Sequence, residues 1–119
     1  MAQIGGMLMV IAGHALVVWA TGTNAFFSQV VRIQTERGHT VVNAGPYQLV
    51  RHPAYAGAIL LALGAPIMLG SWWALIPGII CAMLMITRTA LEDKTLREEL
   101  PGYVEYTQQT RYRLLPGVW

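Results

Sequence analysis

The chain has 119 residues, 55% of them hydrophobic and 12% charged, with a formal net charge of +2 and a mean hydropathy of +0.45. A charged share at about half the value usual for soluble domains leaves too little polar surface for a water-exposed fold of this size, so the composition points to one membrane-embedded domain spanning 1–119. The absence of a dense basic run argues against nucleic acid, and the single Cys81 excludes an intrachain disulfide and a multi-cysteine metal site.

Charge is confined to two islands. No Asp, Glu, Lys or Arg occurs from Met1 to Val31 or from Pro53 to Thr87, and all charges fall in Arg32–Arg51 and Arg88–Arg113. Burying one ion at the centre of a spanning helix costs about 2.5–3.5 kcal/mol, so the cleared stretches read as membrane spans. The first predicted span covers 4–21, where Gly5, Gly6 and Gly13 suit close helix packing and His14 reads as a packing or hydrogen-bonding group. A signal peptide is the rival reading of this stretch, but it lacks a basic start and a clear cleavage site. Phe26-Phe27 then suit the headgroup zone.

The first island turns at Gly38, continues through β-prone Thr40-Val41-Val42 as a short extended segment, and turns again at Gly45-Pro46. Pro53 fits the first turn of the next helix, where a missing N–H costs nothing. The apolar run from Pro53 to Thr87 is too long for one straight span at about 1.5 Å per residue. Gly70-Ser71 is the predicted reversal, with Trp72-Trp73 as an interfacial belt and spans over 54–69 and 72–89. Pro66 and Pro77 are expected to kink these arms or start turns. Leu96 and Leu100 mark an amphipathic continuation of the third helix. Pro101-Gly102 ends it, a short helix restarts at Tyr103, and Arg111–Trp119 reads as an extended, interface-seeking tail.

Three crossings place both islands, Arg32–Arg51 and Arg88–Arg113, on one face with all eight basic residues, and the segments outside the spans there run 32–52 and 90–119. By the positive-inside rule that face is cytosolic and the N-terminus is outside. The expected fold class is therefore all-α: an integral membrane bundle of about three spanning helices with a cytosolic C-terminal cap.

Read separately, the polar residues have plain explanations. Arg51-His52-Pro53 is a helix start with a basic headgroup anchor, Arg88 and Glu92 are an i, i+4 pair, and Tyr103 and Tyr106 are interfacial aromatics. His39 and His52 lack partners at metal-ligand spacing, so no metal is expected.

Their combination is more specific. Gly45-Pro46-Tyr47, Arg51-His52-Pro53-Ala54-Tyr55-Ala56-Gly57, an apolar hairpin, Arg88-Thr89 with Glu92-Asp93, Glu98-Glu99-Leu100, Gly102-Tyr103-Val104-Glu105-Tyr106 and Leu114-Leu115-Pro116 follow in order. From about Asn24 to Trp119 this pattern resembles the isoprenylcysteine carboxyl methyltransferase family, which is related to the membrane phospholipid methyltransferases. The resemblance implies a membrane enzyme using S-adenosylmethionine in a cytosolic pocket closed by the C-terminal segment. The cofactor contacts it implies are Gln34, His39, Thr40, Val41, Val42, Tyr47, His52, Pro53, Ala54, Tyr55 and Glu92. Arg88 matches the substrate-contacting arginine, and Arg88 and Glu92 are the expected catalytic pair.

A cofactor with a carboxylate, an ammonium, a ribose and an adenine needs mixed partners, and these residue types supply them: His52 and helix-start amides for the carboxylate, Glu92 for the ammonium or ribose, Tyr47 and Tyr55 for stacking and hydrogen bonds. The expected partners are membrane lipids and a lipophilic acceptor, led by the carboxylate of an isoprenylcysteine-like thioether. Such a carboxylate is already ionised at pH 7 and needs no base. A phospholipid amine would need one, from Glu92, Asp93 or His39. Small-thiol S-methylation and a non-catalytic membrane scaffold also compete with carboxyl methylation. Only one predicted helix precedes the matched part, fewer than the family usually has, so a homo-oligomer is one way to complete the lipid groove.

Overall fold

The computed structural model describes residues 1–24, 38 and 40–119. The predicted sites Gln34 and His39, and the Phe26-Phe27 pair, lie outside the described residues. Among the described residues four α-helices follow in order: α1 (Ala2–Thr23), α2 (Pro53–Met68), α3 (Leu75–Glu99) and α4 (Tyr103–Gln109), with a 3-10 turn at Gly45–Gln48 before α2. Among the described residues there is no strand, and Thr40-Val41-Val42 is irregular backbone.

α1 and α3 are long and apolar enough to cross a bilayer; α2 is apolar but has 16 residues. The hydroxyls of Thr21, Thr23, Thr87 and Thr89 are satisfied within their own helices. Thr21 and Thr23 donate to the Val17 and Trp19 carbonyls at 2.9 and 2.8 Å, and Thr87 and Thr89 donate to Met83 and Met85 at 3.0 and 2.8 Å. This back-bonding keeps a hydroxyl in an apolar helix from being left unpaired. Large apolar side chains such as Ile4, Leu8, Ile11, Ile80, Met83 and Leu84 face outward.

α2 lies between α1 and α3 because glycines remove the side chains that would hold the helices apart. A Cβ on Gly57 would sit 2.7 Å from the Gly13 carbonyl oxygen, and one on Gly64 would sit 2.7 Å from the Met9 Cβ. Gly6 faces Gly64 and Gly13 faces Gly57, so α1 and α2 run antiparallel. Gly78 of α3 meets the Ala62 carbonyl of α2 in the same way.

The expected reversal at Gly70-Ser71 is a Schellman turn. Gly70 has φ +71, its N–H donates to Ile67 at 3.1 Å, and the Ser71 N–H donates to Pro66 at 2.9 Å. α2 continues past Pro66 to Met68, and α3 begins at Leu75, two residues before Pro77. From there α3 runs unbroken to Glu99, carrying the apolar arm and the charged segment on one rigid element.

The buried aromatic core lies at one end of the bundle. Ala20, Tyr47, Ala54, Leu100, Tyr103 and Tyr106 form it, with Val41, Val42 and Leu96 packed against it. Tyr103 and Tyr106 are each 4% exposed, which corrects their reading as interfacial aromatics. The tail is also not free. The N–H groups of Arg51 and His52 donate to the carbonyls of Tyr112 and Arg113 at 2.8 and 2.9 Å, so Arg111–Arg113 is tied to the start of α2. Beyond it Leu115 and Val118 are exposed.

Candidate active site

Two linked groups of polar side chains occupy the end of the bundle where α2 begins. Pro53 starts α2, His52 is its N-cap, and Arg51 and His52 are fixed by the tail carbonyls. α3 brings Arg88, Glu92 and Asp93 to the same end on successive turns.

The first group surrounds Tyr55. Its hydroxyl donates to Glu92 Oε2 and accepts from Arg88 Nε at 3.1 Å. The Arg88 guanidinium also lies over the Tyr55 ring, 5.3 Å from its centroid, in a cation–π arrangement. The Tyr55 ring also stacks on His52, with centroids 5.8 Å apart and planes within 8°.

The second group surrounds Asp93, whose side chain is 1% exposed. Arg51 meets it with Nε on Oδ1 and Nη2 on Oδ2, both at 2.9 Å. His52 Nε2 lies 3.1 Å from Oδ1, and the Tyr103 hydroxyl donates to Oδ1 at 2.8 Å. Arg97 and Arg113 each place Nε 3.2 Å from Oδ2. Arg51 Nη1 also donates to the Thr110 and Arg111 carbonyls at 3.3 and 3.2 Å. Arg51 is therefore a buried ionic tie, 4% exposed, rather than a headgroup anchor.

Tyr47 joins the remaining parts. Its carbonyl accepts from the Tyr106 hydroxyl at 2.6 Å and the Thr110 hydroxyl at 3.1 Å, and its own hydroxyl accepts from Asn24 at 3.1 Å. Burial, then the charge of Asp93 and the hydrogen bond to it, push the Tyr103 hydroxyl far above the usual tyrosine range. Burial is also the leading cause of the upward shifts at Tyr106 and Tyr47. All three therefore stay protonated at neutral pH.

Beside Tyr55 and Arg88 is a cavity of about 420 Å³, lined also by Val17 of α1, Ala54, Ala58 and Leu61 of α2, and Met85 of α3. Ala54 and Ala58, one turn apart, keep the α2 wall low. The cavity is apolar except at the end formed by Arg88 and Tyr55, a form suited to an apolar ligand with one polar head.

Of the predicted site residues, the structure brings together His52, Pro53, Ala54, Tyr55, Arg88 and Glu92. Val41, Val42 and Tyr47 belong to the adjoining core, and Thr40 is exposed. Sequence reasoning assigns no site role to Arg51, Tyr103, Thr110 or Arg113, and treats Asp93 only as a possible base. Asp93 and Arg97 at i, i+4 are the one local signal; the other partners are remote in sequence. Among the described residues no group of His, Cys, Asp and Glu could hold a metal ion.

The geometry thus defines a class: a helical bundle with two helices long and apolar enough to cross a membrane and an apolar cavity with an arginine in its lining. The family model for the isoprenylcysteine carboxyl methyltransferase (ICMT) family matches residues 6–98, and the chain belongs to that family. Protein-S-isoprenylcysteine O-methyltransferase B of Arabidopsis thaliana is 30% identical over 107 residues, covering 87% of this chain and 54% of that protein. The protein-S-isoprenylcysteine O-methyltransferase of Saccharomyces cerevisiae is 32% identical over 104 residues, 85% of this chain and 44% of that protein. A probable protein-S-isoprenylcysteine O-methyltransferase of Oryza sativa subsp. indica is 38% identical over 65 residues, 54% of this chain and 34% of that protein. The chain spans about half or less of the length of these relatives.

Proposed function

We propose that this chain transfers a methyl group from S-adenosylmethionine to the carboxylate of a lipophilic acceptor, an isoprenylcysteine-like thioether. The carrying observation is Arg88 at the polar end of an apolar cavity of about 420 Å³. An apolar tail along Val17, Leu61 and Met85 brings a terminal carboxylate to the guanidinium. The names of the relatives support the same reaction.

The residues at this end fit the cofactor. Arg88 is a cation, Glu92 an anion, and Tyr55 and His52 present stacked rings. The first turn of α2 adds amide N–H groups directed toward this end. That set matches a ligand with a carboxylate, an ammonium, a ribose and an adenine. His52, Pro53, Ala54, Tyr55 and Glu92 are assigned to it, with Thr40, Val41, Val42 and Tyr47 beside them and Gln34 and His39 completing the set.

When bound, S-adenosylmethionine supplies an electrophilic sulfonium methyl. Arg88 orients the acceptor carboxylate by charge-assisted hydrogen bonds, and Tyr55 holds Arg88 through both its hydroxyl and its ring. The acceptor is ionised at neutral pH, so no side chain removes a proton. Alignment supplies much of the acceleration, and the apolar walls keep water from the acceptor.

We assign α2 as a third membrane-crossing element, with both charged islands on the cytosolic face and the N-terminus outside. The functional reading is tested by incubating the protein in bilayers with methyl-labelled cofactor and an S-prenylated cysteine bearing a free carboxyl. Base-labile label in the prenylcysteine is the expected result. Base-stable label on a phospholipid amine, or no transfer, would overturn it.

A further inference from the structure

We propose that Asp93 is a positioning residue of the transfer site, setting the place of Arg88 through His52 and Tyr55. The inference rests on the methyltransferase reading above.

Asp93 has no capacity left for a ligand. An ionised carboxylate offers about four lone-pair sites. Arg51, His52 and Tyr103 already meet Oδ1, while Arg51, Arg97 and Arg113 meet Oδ2. With its side chain 1% exposed, Asp93 neither contacts the acceptor nor serves as a base. What it does is join parts of the chain that no other described carboxylate joins: the segment before α2, α3, α4 and the tail.

One of those partners leads to the cavity. Asp93 Oδ1 fixes His52 Nε2, and the His52 ring stacks on Tyr55. Tyr55 in turn holds Arg88 by its hydroxyl and its ring face, and both line the cavity. The path is contiguous: carboxylate, imidazole, phenol, guanidinium. The tail reinforces it, because Arg113 reaches Asp93 by its side chain and His52 by its carbonyl. A buried ionic knot is weak support for stability by itself, since apolar replacements often serve as well. Its contact with the residue that holds Arg88 gives it a geometric purpose.

The test uses the full chain in bilayers, with Asp93→Asn, Tyr55→Leu and the double variant. Asp93→Asn is expected to lower kcat/KM for the prenylcysteine at least tenfold, with a raised acceptor KM. Because Asp93 acts through Tyr55, whose ring and hydroxyl are both lost in Tyr55→Leu, the double variant is expected to be no more than about twofold worse than Tyr55→Leu. Multiplying losses, or a reduced active fraction with unchanged KM, would show a merely structural role and overturn the proposal. Should Asp93→Asn fail to fold, Tyr103→Phe removes one Asp93 donor while keeping the carboxylate, and its smaller loss must show the same dependence on Tyr55.

Hydrogen exchange provides a reading independent of activity. The Arg51 and His52 amides are expected to exchange at least tenfold faster in Asp93→Asn, with amides along α1 unchanged. Unchanged exchange at Arg51 and His52 overturns the proposal. If the wild-type chain transfers no methyl to any acceptor, the functional reading fails, and exchange alone decides whether Asp93 holds this segment in place.

Discussion

Arg51 and Asp93, 42 positions apart in the chain, meet in a fork-to-fork pair, Nε on Oδ1 and Nη2 on Oδ2, both at 2.9 Å. Both side chains are almost fully buried, at 2% and 1% exposure. The pair joins the start of α2 to the far part of α3, so the two halves of the candidate site share one anchor. Removing one partner of such a pair leaves a buried charge uncompensated. Arg51→Ala is expected to destabilise the fold by about 3–5 kcal/mol, measured as a lowered unfolding free energy in detergent. A loss below about 1 kcal/mol, the size usual for a surface ion pair, would show that Arg97 and Arg113 neutralise Asp93 without it.

The contact between α1 and α2 leads to a second prediction. A side chain on Gly57 meets the Gly13 backbone and the Val17 N–H and side chain, none of which can yield cheaply. Gly57→Leu is expected to separate the helices and abolish the folded state, seen as uniform proteolysis in bilayers. At Gly22 an added Cβ has nothing within 4 Å. Gly22→Ala is expected to be neutral or stabilising by up to about 1 kcal/mol, the helix preference of alanine over glycine. Equal tolerance at both positions would contradict this packing.

Arg88→Lys keeps the charge and loses the planar fork and its fit to the Tyr55 ring. A hydrogen bond to a charged group contributes about 1.5–3 kcal/mol, so kcat/KM for a carboxylate acceptor is expected to fall about 10- to 100-fold. Steady-state kinetics with an S-prenylated cysteine checks this. Full activity of the lysine variant would remove Arg88 from the acceptor site.

The buried phenols make stability sensitive to alkali. Folding raises the pKa of Tyr47, Tyr103 and Tyr106, chiefly through burial. Below the ordinary tyrosine value, near pH 10, neither state ionises and the stability is intact. Above it the unfolded chain loses protons that the folded chain retains, so stability falls as pH rises. Each phenol contributes a loss of about 1.4 kcal/mol per pH unit in that window. Tyrosinate absorbance is expected to appear with unfolding in a single step. Early, reversible ionisation of the folded protein at these three positions would contradict their burial.

How much of this could be read from the amino-acid sequence follows from the range of each signal. Local and periodic signals are legible. Charge-free stretches mark α1 and the α2–α3 hairpin, Pro53 marks the start of α2, Gly70 marks the turn, and Pro101-Gly102 marks the break before α4. Each of these depends on a few adjacent residues or on the cost of burying charge. The ordered motifs around Arg51–Gly57 and Arg88–Tyr106 also point to the family, and the match over residues 6–98 agrees.

Tertiary structure decided where the charges went. By residue type alone Arg51 suits a headgroup anchor, and Tyr103 and Tyr106 suit an interface, because each type is common at a membrane surface. Folding buries all three, and it turns the tail back so that the Thr110 and Arg113 carbonyls accept from Arg51 and His52 at the start of α2. Nothing local to Asp93 indicates five side-chain partners, four of them outside its own helix. The sequence by itself determined which segments avoid water and where the helices break. Only the packed chain determined which polar groups those segments enclose, because a buried charge is stabilised by partners brought together from distant positions.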